Sequence, residues 1–208
     1  VRSRTNAFLV FSLATLVLGG CVPLRAGGTG GTPEAPVPGK PQAKAQEAIA
    51  QAQRTLRDNP NWRIDCSGFV LSCYQSQKMA DFFKRQRSGK NLTYYLNRYL
   101  TLAKTRRAKA ADIQPGDILI FNKTYDLNRD GHIDEKDEFT HAGIVESFKD
   151  WKVTYLDSSL GRSNPKIRRR SFSFYPKGRQ GNERVAVDPA TGREILHKET
   201  FYAAYAVP

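Results

Sequence analysis

Cysteine is scarce in this chain: Cys21, Cys66 and Cys73 are its only three among 208 residues. No zinc-finger spacing of the nucleic-acid-binding kind is present. Acidic residues are short as well. Twenty Asp and Glu face 33 Lys and Arg, which leaves a net charge of +13. Such a balance favours anionic surroundings such as membrane headgroups or cell-wall polymers. Nucleic acid is not expected as a partner, because no aromatic RNA-binding signature accompanies the charge. Internal repeats are missing too. What is there, 39% hydrophobic and 25% charged residues, suits one soluble domain with polar additions.

The start of the chain reads differently. "VRSRTNAFLVFSLATLVLGGC" has two arginines, an apolar run from Ala7 to Leu18, then Gly19, Gly20 and Cys21. The run is too short and wrongly flanked for a typical membrane span, and reads as a secretory signal peptide over residues 1–20. Its end resembles a bacterial lipobox. That implies lipidation of Cys21 and a protein anchored to a membrane of the bacterial cell envelope, on its extracytoplasmic or periplasmic side. Removing the signal takes away Arg2 and Arg4 and no acid, so the basic character belongs to the domain. Residues 21–42, rich in Gly, Pro, Thr and Ala, read as a disordered tether. The domain proper is expected over 43–208.

Within it, helix signals come first. Residues 42–57 are strong helix formers ended by Asn59-Pro60, and 65–77 read as a helix capped by Asp65. Residues 79–103 read as helix, turn at Ser88-Gly89, helix. After Ala111 the character changes to strands at 116–121, 140–148, 152–159, 166–175 and 200–207. Helices followed by strands predict an α+β fold with N-terminal helices packed on an antiparallel sheet. Residues 176–198 read as a turn-rich surface excursion.

Cys66 falls on the first turn of a predicted helix. Unpaired N–H groups and the helix dipole there favour a thiolate, and the same N–H groups suit an oxyanion. Cys73 lies seven residues on, with Cα atoms roughly 10 Å apart on a helix, beyond disulfide reach. Two free thiols are expected, with Cys73 a small buried hydrophobe. A nucleophilic cysteine needs a base and the base an orienting group. His141 begins a predicted strand in "Thr140-His141-Ala142-Gly143-Ile144", with the small Gly143 leaving access to its ring. His132 lies in an acidic loop and His197 in a polar tail, so each is a poorer base. A hairpin turning near Lys149-Asp150 brings Asp157 beside His141, where a carboxylate orients an imidazole.

"DCSGFV", "GDILIF" and "HAGIV", followed by a strand with a polar residue, resemble in that order the NlpC-like cell-wall cysteine peptidases. The similarity spans roughly residues 45–207. It implies a papain-like core in which Cys66 attacks, His141 is the base and Asp157 orients it, with Asp65 and Ser67 bordering the substrate pocket. It also implies hydrolysis of amide bonds in peptidoglycan stem peptides. The orienting residue in that family is usually His, Asn or Gln, and its histidine strand follows "GDILIF" closely; this chain departs in both. An N-acetylmuramoyl-amidase-type hydrolase and a non-catalytic lipoprotein that binds wall peptides are the alternative readings.

The insertion before His141, "DLNRDGHIDEKD", matches an EF-hand-type calcium loop. Asp126, Asn128, Asp130, Asp134 and Asp137 take positions 1, 3, 5, 9 and 12. Gly131 sits at the sharp turn, His132 offers its backbone carbonyl and Ile133 packs inward. Asp137 replaces the usual Glu, as in loops of dockerin-like proteins. Ca2+ is the expected cofactor, bound on the order of 10⁻⁴ to 10⁻³ M, and expected to fix the start of the His141 strand. Finally, "KIRRRSFSFYPKGR" (166–179) reads either as a charged edge strand or as a contact for anionic envelope polymers.

Overall fold

The structure, a computed structural model, describes residues 40–86, 89–159, 166–174, 182 and 184–207. The signal segment and Cys21 lie outside the described residues, as does most of the tether. The chain divides into residues 1–36 and 37–208, and the account below concerns the second unit.

Helix α1 (Lys40–Asp58) begins two residues before the expected 42, so residues 40–42 belong to the domain rather than to a tether. The proline at 41 falls in its first turn, where no intrahelical donor is required. Helix α2 (Cys66–Tyr74) is shorter than the expected 65–77. Its N-cap is Asp65, whose Oδ1 accepts the Gly68 N–H at 2.6 Å. It stops at Gln75, which takes a left-handed φ of 47°, and Ser76 then caps α3 (Gln77–Lys84). The sequence pattern missed this break because no Gly or Pro marks it. Asn91 caps α4 (Leu92–Leu102) by accepting the Tyr94 N–H at 2.7 Å.

The strands follow as β1 (Ile118–Phe121), β2 (His141–Lys149), β3 (Lys152–Ser159), β4 (Lys166–Ser173), β5 (Arg184–Val187) and β6 (Glu194–Leu196). A short helix α5 (His197–Thr200) and β7 (Phe201–Tyr205) end the fold. Five of them make an antiparallel sheet in the order β4-β3-β2-β1-β7, and β5 pairs with β6 separately. The α+β architecture with helices first is thus as expected. The β2–β3 hairpin turns at Asp150 and Trp151, both with positive φ (50° and 60°), a backbone twist that matches that of the strands.

Strand alternation sorts the sheet into two buried layers. Ile118, Ile120, Ala142, Ile144, Leu156, Ala203 and Tyr205 pack with Ala48, Ala52, Phe69, Val70 and Leu96 of the helices. Leu119, Phe121, Val145, Tyr155, Phe172 and Ala204 form the second layer, with Phe174 and Phe201 against it. The excursion at 176–198 is more than turns where it is described. It holds the β5–β6 pair and α5, and Ile195 and His197 are buried.

Candidate active site

Cys66 is the first residue of α2 and His141 the first of β2, so both stand at one end of the sheet. They line one cavity of about 570 Å³, whose walls also include Asp65, Thr93, Tyr125 and Arg170. By strand parity His141 and Asp157 belong to the second layer, beside Phe121 and Tyr155. The register sets Gly143 opposite Asp157, which makes His141 the diagonal neighbour of Asp157. His141 Nε2 lies 2.7 Å from Asp157 Oδ2, and Asp157 is fully buried. With Nε2 so engaged, Nδ1 is the ring nitrogen left for the cysteine.

Burial pushes the Cys66 thiol up. The His141 charge and hydrogen bond, helped by the Thr93 hydroxyl, more than offset that and hold it below the ordinary thiol range. Burial likewise lowers the His141 imidazolium, but the Cys66 thiolate and Asp157 outweigh it and raise the imidazole to about 10. The two shifts share one cause: each group favours the charged form of the other, thiolate beside imidazolium. Cys73 contrasts: it is buried, and that burial pushes its thiol up to about 12. Both cysteines are free.

One expected detail is corrected. Gly143 does not open access to the histidine ring. A Cβ there would sit 2.6 Å from Tyr155 Cδ2, so the missing side chain admits the tyrosine ring. Ser67 lies at the cavity but is buried, and its hydroxyl is 2.8 Å from Thr93 Oγ1. Thr93 in turn reaches to 3.5 Å from Cys66 Sγ. When Cys66 is a thiolate it has no proton to give, and in that form Thr93 donates to sulfur and can accept from Ser67.

Three residues of the site were not marked by sequence. Thr93 arrives through the start of α4, and only the Asn91 cap preceding it signals a helix terminus. Arg170 was read as part of a solvent-facing basic run. Yet its Nε is 3.3 Å from Asp157 Oδ2, and its neighbour Arg169 makes a bidentate pair with Glu146 at 2.6 and 2.7 Å. His197 is not in a polar tail. It is 1% exposed, lines the cavity, and its Nε2 lies 3.3 Å from Arg170 Nη1.

The acidic loop closes on itself. Asp126 Oδ2 accepts the Gly131 N–H at 2.9 Å, and Gly131 has a φ of 90°. Asp126 Oδ1 is buried with no hydrogen-bond partner among the described residues. Asn128 Oδ1 accepts the Asp130 N–H, and Asp130 Oδ1 accepts the His132 N–H. Asp137 is fully buried, with its two oxygens on the N–H groups of Leu127 (2.8 Å) and Asp134 (3.0 Å). The Lys136 ammonium lies 3.2 Å from Asp130 and 3.7 Å from Asp134. Among the described residues no three His, Cys, Asp or Glu side chains converge closely enough to hold a metal ion. Ile133 is buried, as expected, and its N–H bonds the Asp188 carboxylate. The loop is fastened just ahead of His141: Thr124 N–H donates to Thr140 Oγ1 at 2.9 Å, and Thr140 N–H donates to Phe121 O at 2.8 Å.

Among the described residues no helix is long and apolar enough to cross a membrane. Comparison of the chain with protein-family models, with curated proteins and with solved structures finds no match.

Proposed function

We propose that this chain is a cysteine hydrolase of the cell envelope, with an NlpC-type papain-like core, that cleaves amide bonds of peptidoglycan stem peptides. One observation carries the reading: the cysteine that begins helix α2 lines the same cavity as a histidine that is held 2.7 Å from a buried carboxylate. The substrate class comes from the sequence resemblance. In this reading the Cys66 thiolate adds to the scissile carbonyl carbon. The N–H groups at the start of α2, where Asp65 takes that of Gly68, leave those of Cys66 and Ser67 for the developing oxyanion. His141 then passes its proton to the departing amine, the C–N bond breaks and an acyl-enzyme remains. Neutral His141 draws a proton from water, the hydroxide adds to the thioester carbonyl, and the acid leaves as Cys66 returns to thiolate.

Ca2+ belongs to the same proposal. Asp126, Asn128, Asp130, Asp134, Asp137 and the His132 carbonyl would hold it, and Asp126 Oδ1, buried with no hydrogen-bond partner among the described residues, suits a cation ligand. The ion would add positive charge beside that of Lys136. Since Tyr125 and Asp126 line the catalytic cavity, a tightened loop would also fix the cavity wall. A lipidated Cys21 would keep the domain at the membrane. The edge position of β4 favours the charged-edge reading of the basic run, and Lys166 and Arg168 remain for contact with anionic polymers.

The test is digestion of purified peptidoglycan followed by mass analysis. Release of stem-peptide fragments by the parent, and none by Cys66→Ala, is expected. Bare glycan with intact stems would assign an amidase instead. Unchanged peptidoglycan with either protein would contradict hydrolysis.

A further inference from the structure

Arg170 sits in the basic run of β4, yet its side chain is only 15% exposed. The β3–β4 register sets it opposite Tyr155, so it shares a face with Asp157 two residues along. Its Nε is 3.3 Å from Asp157 Oδ2, the same oxygen that lies 2.7 Å from His141 Nε2. Its Nη1 is 3.3 Å from His197 Nε2. A guanidinium has no acceptor, so this contact is a hydrogen bond when His197 Nε2 carries the lone pair. The buried carboxylate therefore lies between an imidazole and a guanidinium. Among the described residues lining the cavity, Arg170 is the one Lys or Arg.

We infer that Arg170 is a positioning residue of the hydrolase, which acts through Asp157 to weaken that carboxylate's hold on the His141 proton. The inference rests on the hydrolase reading. A buried carboxylate facing an imidazolium alone would hold that proton tightly, and a general acid works best when its proton is not held too far above the working pH. A guanidinium on the shared oxygen offsets the carboxylate charge and repels the imidazolium. His197 lies on the far side of the guanidinium and helps to fix its place. The other titratable and charged groups around the cluster are Cys66 and its neighbour Asp65, Tyr125 and Asp126 from the loop, Tyr155 from β3, His197 from α5 and Arg168 from β4, which the register sets opposite Asp157. Arg168 does not line the cavity, and Arg170 is the fixed positive charge that lies on the shared oxygen.

The test titrates the whole domain and needs no substrate. Arg170→Met removes the charge and keeps most of the stem; Arg170→Lys keeps the charge. The His141 ring is followed by 15N chemical shift and the Cys66 thiolate by its ultraviolet absorbance. In Arg170→Met the His141 midpoint is expected to rise by about one pH unit, and the thiolate midpoint by less because sulfur is further from the lost charge. Arg170→Lys is expected to stay nearer the parent than Arg170→Met does. Coincident parent and Arg170→Met curves, or Lys and Met variants that shift alike, overturn the inference while leaving the hydrolase reading intact. A parent in which Cys66 and His141 both titrate as ordinary groups overturns the hydrolase reading, and this inference with it. If Arg170→Met does not fold, Asp157→Asn is compared with Asp157→Asn/Arg170→Met. The single variant leaves a lone cation beside the ring, so its His141 midpoint is expected below that of the double variant. Equal midpoints overturn the inference.

Discussion

Replacing Thr93 with valine keeps the branched shape and removes one hydroxyl. In the parent that hydroxyl lies 3.5 Å from Cys66 Sγ and 2.8 Å from Ser67 Oγ. A hydrogen bond to a charged group contributes about 1.5–3 kcal/mol. The sulfur contact is long, so the low end applies, and about 1.5 kcal/mol corresponds to about one pH unit. The Cys66 thiolate should therefore form about one pH unit higher in Thr93→Val, and not in Thr93→Ser. The buried Ser67 hydroxyl also loses its 2.8 Å partner and keeps only the long 3.9 Å contact to Cys66 Sγ, which costs about 1 kcal/mol of stability. The assay is the initial rate of iodoacetamide alkylation across pH, with circular dichroism as the control for folding. Cys73 stays silent because its buried thiol titrates near 12. A folded Thr93→Val protein with an unmoved midpoint, or a Thr93→Ser protein shifted as far, would refute the hydroxyl's role.

Other expectations follow from the same geometry. A chelator should lower the melting temperature and Ca2+ should restore it in the parent but not in Asp126→Ala. Terbium luminescence sensitised by Tyr125 should appear in the parent only, and its absence there would count against the metal loop. Gly143→Ala should cost about 1–3 kcal/mol of unfolding free energy by overpacking against Tyr155, read as a lower urea midpoint; a midpoint equal to the parent's would show that the ring yields freely. The thiolate–imidazolium pair should add a pH dependence to stability, read as the parent minus Cys66→Ala/His141→Gln. Its contribution should be present where the folded protein holds sulfur ionised and the imidazole protonated, and be lost on either side of that window. On the alkaline side it is lost as His141, raised to about 10, gives up its proton. On the acid side it is lost as the lowered thiol is protonated. A difference that is flat at all pH values would deny the pair.

The sequence displayed the fold where local chemistry and tertiary packing agree. "GDILIF" and "HAGIV" are apolar runs bounded by turns, and both became buried strands. Asp65 before an apolar helix predicted its own cap. The break at Gln75 was hidden because a left-handed glutamine leaves no glycine behind. For the site, Cys66, His141 and Asp157 were legible because each sits at the terminus or on the face of an element whose register can be counted. Arg170 and His197 were not. Their role depends on which strand pairs with β3 and where the chain returns after 174, and neither is written in local pattern. A run of arginines reads as solvated charge until the sheet order turns one of them inward.

The most direct measurement of the central claim is covalent labelling of the intact domain by a thiol-directed electrophile at neutral pH, with the labelled peptide identified by mass spectrometry. The account predicts fast labelling of Cys66, none of Cys73, and a loss of at least tenfold in rate in His141→Gln, equivalent to about one pH unit or more of thiolate stabilisation. Equal, slow labelling of Cys66 with and without the histidine would mean that the two side chains do not act on each other, and would contradict the account.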